Sequence, residues 1–258
     1  MILAINSQNT YTYIGCIDEG GAVKHVFHLP TDQNETEFGY ASKIKEICTL
    51  LSINLSDIEG AVLSSVVPPI TKTLTKAIKL LCNLDTLVVG AGVKTGVHIC
   101  IDDPGTVASD LVTAAVAAKE NYTLPCIVID MGTATTLTVV NEQGKYVGGA
   151  ILPGVELSLS ALAEKTALLP KIDMNAPKNA ISSNTVDCMK SGIVYGTAGA
   201  IDGMIDRISA ELNSSSPTVI ATGEYSSAVI PHCRHKITAD DTLLLRGLYA
   251  IWKRNRNK

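Results

Sequence analysis

Charge is scarce in this chain. Asp, Glu, Lys and Arg make up 18% of its 258 residues, with 21 basic against 25 acidic side chains and a net charge of −4. With 46% apolar and 4% aromatic residues, that balance excludes a disordered tail protein, a coiled coil and a collagen. It leaves no basic face for a nucleic-acid backbone, and no helix-turn-helix signal is present, so nucleic acid is not expected as a partner. Long apolar runs are missing too. Stretches such as residues 126–129 fall far short of the roughly 20 residues that span a bilayer, so no membrane is expected. Ile2, Leu3, Ala4 and Ile5 follow Met1 with no basic n-region and no long h-region, which argues against a signal peptide. No CxxC pair occurs among the seven cysteines at 16, 48, 82, 100, 126, 188 and 233; they read as reduced core thiols of a cytoplasmic protein. His232-Cys233-Arg234-His235 lacks a second ligand pair and reads as a surface loop, not a metal site. The one cationic cluster, Lys253, Arg254, Arg256 and Lys258, reads as a solvated helix end.

What is present is an α/β alternation, in a chain long enough for one large domain or two lobes and for a core that needs no disulfide or metal. Strands are expected at 2–5, 11–17 and near 23–28, and a helix at 37–51 with Ile44, Ile47, Leu50 and Leu51 on one face. A strand at 60–67, ended by Pro68-Pro69, precedes a helix at 70–81, a strand at 86–89 and an Ala-rich helix at 109–119. At Pro125 the pattern restarts, with strands at 126–129, 137–140 and 146–151. Pro153-Gly154 then opens a helix near 156–164. A helical region at 187–212, broken near 196–199, a strand at 217–221 and an amphipathic helix at 238–253 complete the chain. Setting Asn6 against Asp130, an offset of 124 residues, brings Ile5 to Ile129, Thr12 to Thr136 and Gly20 to Gly144. Each half thus opens strand–turn–strand–turn–strand, which a plain βαβ repeat would lack, and duplication into lobes 1–118 and 119–258 is expected.

The turn Asp130-Met131-Gly132-Thr133 carries the strongest chemistry. Gly lets a backbone approach phosphate closely, Thr hydroxyls and turn N–H groups donate to phosphate oxygens, and an Asp at a strand end can hold a cation. A tight hairpin also favours Asp and Gly. Two such turns facing each other across related lobes would clamp a nucleotide. This hairpin-led duplication resembles the actin, Hsp70 and sugar-kinase superfamily, which implies a duplicated actin-like (ribonuclease H-like) two-lobe α/β fold with a central cleft.

Three further stretches narrow the resemblance. Pro104-Gly105-Thr106-Val107-Ala108-Ser109-Asp110 resembles the P-x-x-V-G-x-D-R motif of type III pantothenate kinases. Residues 130–136, DMGTATT, resemble their D-x-G-T-A-T-T loop, and residues 148–154, GGAILPG, their G-G-x-I-x-P-G segment. Supporting matches are Ser64-Ser65-Val66-Val67-Pro68, Asn184-Thr185, residues 191–196 and Leu245-Arg246-Gly247-Leu248, so the resemblance runs from residue 2 to about 252. It implies ATP-dependent phosphorylation of pantothenate to 4′-phosphopantothenate, the first step of coenzyme A biosynthesis, by a dimer that needs a monovalent cation, K⁺ or NH₄⁺, with Mg²⁺ as a further candidate. Carried over by motif, Asp110 is the general base and Asp130 the cation ligand. Asn6, Asn9, Thr10, Gly132 and Thr133 belong to the ATP site. Ile101, Ala108, Ser109, Leu111 and Thr185 belong to the pantothenate side, Thr185 acting across the dimer interface.

The departures cluster at the same site. The family's opening D-x-G-N-T is Asn6-Ser7-Gln8-Asn9-Thr10 here, which removes a charge at 6 and adds a side chain at 8. Leu111 replaces an Arg whose fork suits the pantothenate carboxylate. Ile101 replaces an aromatic, Thr138 stands where many members carry a further Asp, and Gly223-Glu224 replaces a Gly-Gly near the adenosine. The chain is therefore expected to act as a homodimer, or as one subunit of a heteromeric kinase beside an intact paralogue. The alternative is a catalytically inactive paralogue serving as a ligand sensor or regulator.

Overall fold

The computed structural model describes residues 1–214 and 216–256. Its elements run β1 (Ile2–Ser7), β2 (Tyr11–Ile17), β3 (Val23–Pro30), α1 (Glu37–Leu50), β4 (Gly60–Ser65), α2 (Pro68–Cys82), β5 (Thr86–Val88), β6 (His98–Ile99) and α3 (Ser109–Asn121). They continue β7 (Cys126–Met131), β8 (Ala134–Val140), β9 (Lys145–Pro153), α4 (Val155–Lys165), α5 (Thr185–Glu211), β10 (Thr218–Thr222), α6 (Ser226–Val229), β11 (Thr238–Ala239) and α7 (Leu243–Asn255). The chain divides into two compact units. Unit 1 holds Met1–Asn121 with Thr242–Lys258, and unit 2 holds Tyr122–Asp241.

In unit 1 the strand order is β3-β2-β1-β4-β5. β1 pairs antiparallel with β2 and parallel with β4, so it is central and its run ILAINS is buried on both faces. On one face Leu3, Ile5, Ile14 and Leu63 meet Tyr40 and Ile44 of α1 and Leu74 and Ile78 of α2. On the other, Ile2, Ala4, Ile17 and Val62 meet Val116 of α3 and Leu245, Leu248 and Ile251 of α7. Pro68 and Pro69 open α2, where the missing N–H groups cost nothing, and Thr36 caps α1 by accepting from Gly39 N at 3.1 Å.

The division at 118/119 placed the last helix with the second half, whereas α7 packs within unit 1. Its Leu245, Leu248 and Ile251 complete the second core layer. Gly247 lies so close to α3 that an added Cβ would stand 2.4 Å from the Thr113 carbonyl oxygen. Helix α7 also starts at Leu243 instead of 238, because Thr238 and Ala239 pair as a strand with Ile220 and Ala221. Helix α5 runs unbroken through Gly196 and Gly199; the space where their Cβ atoms would stand is open, so neither marks a packing contact that could kink it. At the C-terminus Arg254 pairs with Glu120, while Arg256 lies 3.5 Å from Glu59 and 5.3 Å over the Trp252 ring; Lys258 lies outside the described residues. All seven cysteines are free, and burial pushes the Cys16 and Cys126 thiols up to about 12. Among the described residues no helix is long and apolar enough to cross a membrane.

Unit 2 repeats the plan strand for strand, in the order β11-β10-β7-β8-β9. Its strands β7 and β8 carry the burial patterns of β1 and β2, BBBBBB and iBiBBBB. The pairing registers also correct the offset of 124. Asn6 faces Tyr13 and Asp130 faces Thr136, so the second hairpin turn is one residue shorter and Thr12 matches Thr135, not Thr136. From there on the offset is 123. The register irregularity at Cys16/Ile17 returns at Val139/Val140, and the positive-φ turn glycine matching Gly144 is Gly21, not Gly20.

Candidate functional site

In unit 1 the carboxyl ends of β1 and β4 meet the start of α3. Asn6 is 2% exposed at the end of β1, and its side-chain oxygen has no hydrogen-bond partner among the described residues. Its neighbour across the parallel pair is Ser64. Ser64 Oγ donates to Ser109 Oγ at 2.8 Å, Ser65 N donates to the same oxygen at 3.1 Å, and Ser109 Oγ donates to the Ser65 carbonyl at 3.1 Å. The next residue, Asp110, is half-buried in the first turn of α3, and its Oδ1 accepts from Leu111 N at 2.8 Å. Burial pushes the Asp110 carboxyl above the usual carboxylate range, against the opposing pull of the Leu111 and Asp110 N–H groups.

The first hairpin turn is closed by backbone bonds within itself and to the end of β3. Gln8 N donates to the Tyr11 carbonyl and Thr31 N to the Thr10 carbonyl, both at 2.9 Å. A hydroxyl chain links Ser7, Thr12 and Thr31 with two contacts of 2.9 Å. Gln8 holds a negative φ, so the turn needs no glycine there for conformational reasons. Asn9 is exposed and Thr10 half-buried. Ile101 and Leu111 are half-buried and Ala108 is exposed, on the segment leading into α3 and on its first turn.

In unit 2 the turn after β7 is cradled by two glycines. Asp130 is 9% exposed at the strand end, with Gly132 and Thr133 half-buried beside it. Gly154 N donates to the Thr133 carbonyl at 3.2 Å, and a Cβ on Gly154 would stand 2.2 Å from that oxygen and 2.4 Å from the Gly132 carbonyl. Gly154 is also the N-cap of α4, so the start of that helix abuts the turn. Gly223, after β10, has φ +94° and approaches so closely that its Cβ would lie 2.7 Å from Asp130 Oδ1. Tyr225 N donates to the Met131 carbonyl at 3.3 Å, and its hydroxyl lies 3.1 Å from Glu156 Oε2. Beside this pair opens a cavity of about 300 Å³ lined by Glu156, Ser160, Lys171, Asp173, Met174 and Tyr225, among others. Thr138, the position of a further Asp in the family motif, is a 1% exposed strand residue facing Val128 and Gly149.

Thr185 is exposed as the first residue of α5, behind Asn184, whose Oδ1 accepts from Asp187 N at 2.9 Å. Farther along α5, Asp202 clamps the 232–235 loop by accepting from the N–H groups of Arg234 and His235. Burial alone would raise its carboxyl, but those bonds and the Arg234 guanidinium outweigh it and hold it below the usual range. Among the described residues no group of three or more His, Cys, Asp or Glu is arranged to hold a metal.

The structure thus gathers Asn6, Ser109 and Asp110 in unit 1, and Asp130, Gly132 and Thr133 in unit 2. The cradling roles of Gly154 and Gly223 and the serine cluster at Ser109 did not show in the sequence. The glycines stood in the quoted motifs, but their work is steric and depends on strands far apart in the chain.

The family model for type III pantothenate kinase matches residues 2–207. The chain is 38% identical over 255 residues to a type III pantothenate kinase of Halalkalibacterium halodurans, covering 99% of this chain and 100% of that one. It is 38% identical over 258 residues to the type III pantothenate kinase of a Geobacillus species, covering 100% and 99%. Among solved structures, the activator of the 2-hydroxyisocaproyl-CoA dehydratase from Clostridium difficile, with bound ADPNP, matches with a TM-score of 0.60 at 10% identity, over 99% of this chain and 96% of that one. Component A of the Acidaminococcus fermentans (R)-2-hydroxyglutaryl-CoA dehydratase matches with a TM-score of 0.57 at 13% identity, over 98% of both. These two likenesses are of fold, and the fold is the actin-like one.

Proposed function

Because the chain belongs to the type III pantothenate kinase family, we propose that it transfers the γ-phosphoryl group of ATP to the primary hydroxyl of pantothenate, giving 4′-phosphopantothenate. The observation that carries this reading is Asp110. It is a half-buried carboxyl with a raised affinity for protons, at a helix start pinned to the sheet end. A carboxylate in that condition is a better base than an exposed one. It takes the proton as the hydroxyl oxygen bonds to the γ-phosphorus and the bond to ADP breaks. The remaining work is positioning and charge neutralisation.

Gly132 and Thr133 take the phosphate end of ATP, with the turn's approach secured by Gly154, and the 300 Å³ cavity beside Tyr225 and Glu156 takes the nucleoside. Within unit 1, Asn6, Asn9 and Thr10 are the candidates for contact with ATP, and Ile101, Ala108 and Leu111, with Thr185 at the start of α5, are those for pantothenate. Donors at the β7 turn are all oxygens, a carboxylate and backbone carbonyls, which suits a hard monovalent cation held by Asp130. That cation supplies positive charge against the phosphates. The active form is a dimer, either of this chain or of this chain with an intact paralogue. Asn6 and Leu111 are the residues that favour the second arrangement. The relatives carry the name of kinases, and no feature of the site favours an inactive sensor.

The test is turnover of the purified chain with ATP and pantothenate, with K⁺ or NH₄⁺ against Na⁺. Turnover that depends on the cation is expected. Absence of turnover by the chain alone and with an added paralogue would overturn the kinase reading. Turnover only with the paralogue, at a one-to-one mass, would select the heteromer.

A further inference from the structure

We propose that Ser109 is a positioning residue that holds the Asp110 carboxylate in place, and that it does not contact pantothenate. A serine hydroxyl offers one donor and two acceptor sites. All three are occupied within the fold: Ser109 Oγ accepts from Ser64 Oγ at 2.8 Å and from Ser65 N at 3.1 Å, and donates to the Ser65 carbonyl at 3.1 Å. No capacity is left for a ligand. Ser64 is fully buried, so removing Ser109 Oγ strands a hydroxyl that has no water to turn to.

The consequence for Asp110 follows from how that carboxyl is held. Its hydrogen bonds come from the backbone of its own turn, the N–H groups of Leu111 and of Asp110 itself. Among the described residues no cation pairs with it. The carboxylate therefore sits wherever the first turn of α3 sits. That turn is fastened to the end of β4 through one hydroxyl, across 44 and 45 residues of chain. The end of β4 is in turn fixed, since Val66 N donates to the Ser7 carbonyl at 3.1 Å and Ser65 Oγ accepts from Val67 N at 3.2 Å. Position thus passes from β1 through Ser65 and Ser109 to Asp110. A displacement of about 1 Å at a reacting group costs on the order of 10²-fold in rate.

This inference rests on the kinase reading, and wild type, Asp110→Asn, Ser109→Ala and Ser109→Thr are to be assayed side by side. Ser109→Ala is expected to lower kcat by roughly 10-fold to 10²-fold, with the KM for pantothenate changed by less than about 3-fold on the same premise that ground-state binding is untouched. Ser109→Thr, which keeps the hydroxyl, is expected to recover most of kcat. A rise in the pantothenate KM at unchanged kcat would make Ser109 a substrate contact and overturn the proposal. So would full activity of Ser109→Ala while Asp110→Asn is inactive. A wild-type chain without turnover, alone and with an added paralogue, overturns the kinase reading instead, and amide hydrogen exchange then decides the positioning role. Exchange at Leu111 and Ser65 of the ligand-free protein quickens in Ser109→Ala if the hydroxyl fastens the turn, and stays as in wild type if it does not. Should Ser109→Ala fail to fold, Ser64→Ala removes one of the three bonds, and it is expected to lower kcat in the same direction by less; an unchanged kcat overturns the proposal.

Discussion

At Asp110, burial sets the sign of a pH effect. A carboxyl whose folded pKa lies above its unfolded value adds stability that is fully present below the unfolded value, near 3.8, and lost as pH rises through the folded one. Above the folded value the chain bears an ionised carboxylate that burial disfavours. Asp110→Asn keeps an oxygen for the Leu111 N–H and removes the charge. Its urea midpoint at pH 7 is expected to equal or exceed that of wild type, with the difference shrinking toward pH 3. Turnover should fall by about 10²-fold or more. Parallel loss of stability and activity would mark Asp110 as a structural residue instead. Asn6 works in the opposite direction. Its 2% exposed side-chain oxygen has no hydrogen-bond partner among the described residues, so Asn6→Asp puts a charge where nothing compensates it. Urea unfolding at pH 7 should show a loss on the order of several kcal/mol, regained as the pH falls through that residue's raised pKa; an unchanged midpoint would show that the carboxylate finds a partner. The placement of Asp110 in the first turn of a helix and of Asp130 at a strand end was legible in the sequence because both follow from local pattern. The burial of Asn6 and the saturated hydroxyl of Ser109 were not, because they arise from partners on other strands and helices.

Among the elements, the β7 turn and the start of α4 form one unit of shape. Gly154 leaves no room for a Cβ against the Gly132 and Thr133 carbonyls, and Gly149 leaves none against the Leu137 carbonyl, where the gap would be 1.7 Å. Gly154→Ala should therefore displace the β7 turn and, if that turn holds phosphate as proposed, raise the KM for ATP by about 10-fold or more, by analogy with the cost of small displacements at a site, while the far-UV circular dichroism stays native. An unchanged ATP KM would remove the turn from the ATP site. The strands and most helices could be read from periodicity, since β2 at 11–17 and α3 from 109 fall where the apolar pattern puts them. The repeat could be read as well, but not the one-residue difference between its hairpin turns, which only the pairing of Asn6 with Tyr13 and Asp130 with Thr136 reveals. The pairing of Thr238 and Ala239 with β10 was hidden for the same reason: a two-residue strand has no period of its own, and its partner lies far back in the chain.

For the whole molecule, the misplaced element was α7. Its amphipathic pattern was plain, but an apolar stripe does not say which sheet it covers, and Leu245, Leu248 and Ile251 cover that of unit 1. Residues 1–121 alone should accordingly melt without a cooperative transition, while the same residues joined by a flexible linker to 242–256 should melt cooperatively in a circular dichroism scan. Equal behaviour of the two would show that α7 is dispensable to the first core. The chain leaves unit 1 after Asn121 and returns at Thr242, so unit 2 is an uninterrupted insert within it. During synthesis the order of completion is then the reverse of the order of numbering. When residue 241 has cleared the ribosome, unit 2 has all its parts, whereas the sheet translated first still exposes Ile2, Ala4, Ile17 and Val62 and must wait for the last-made helix to shield it.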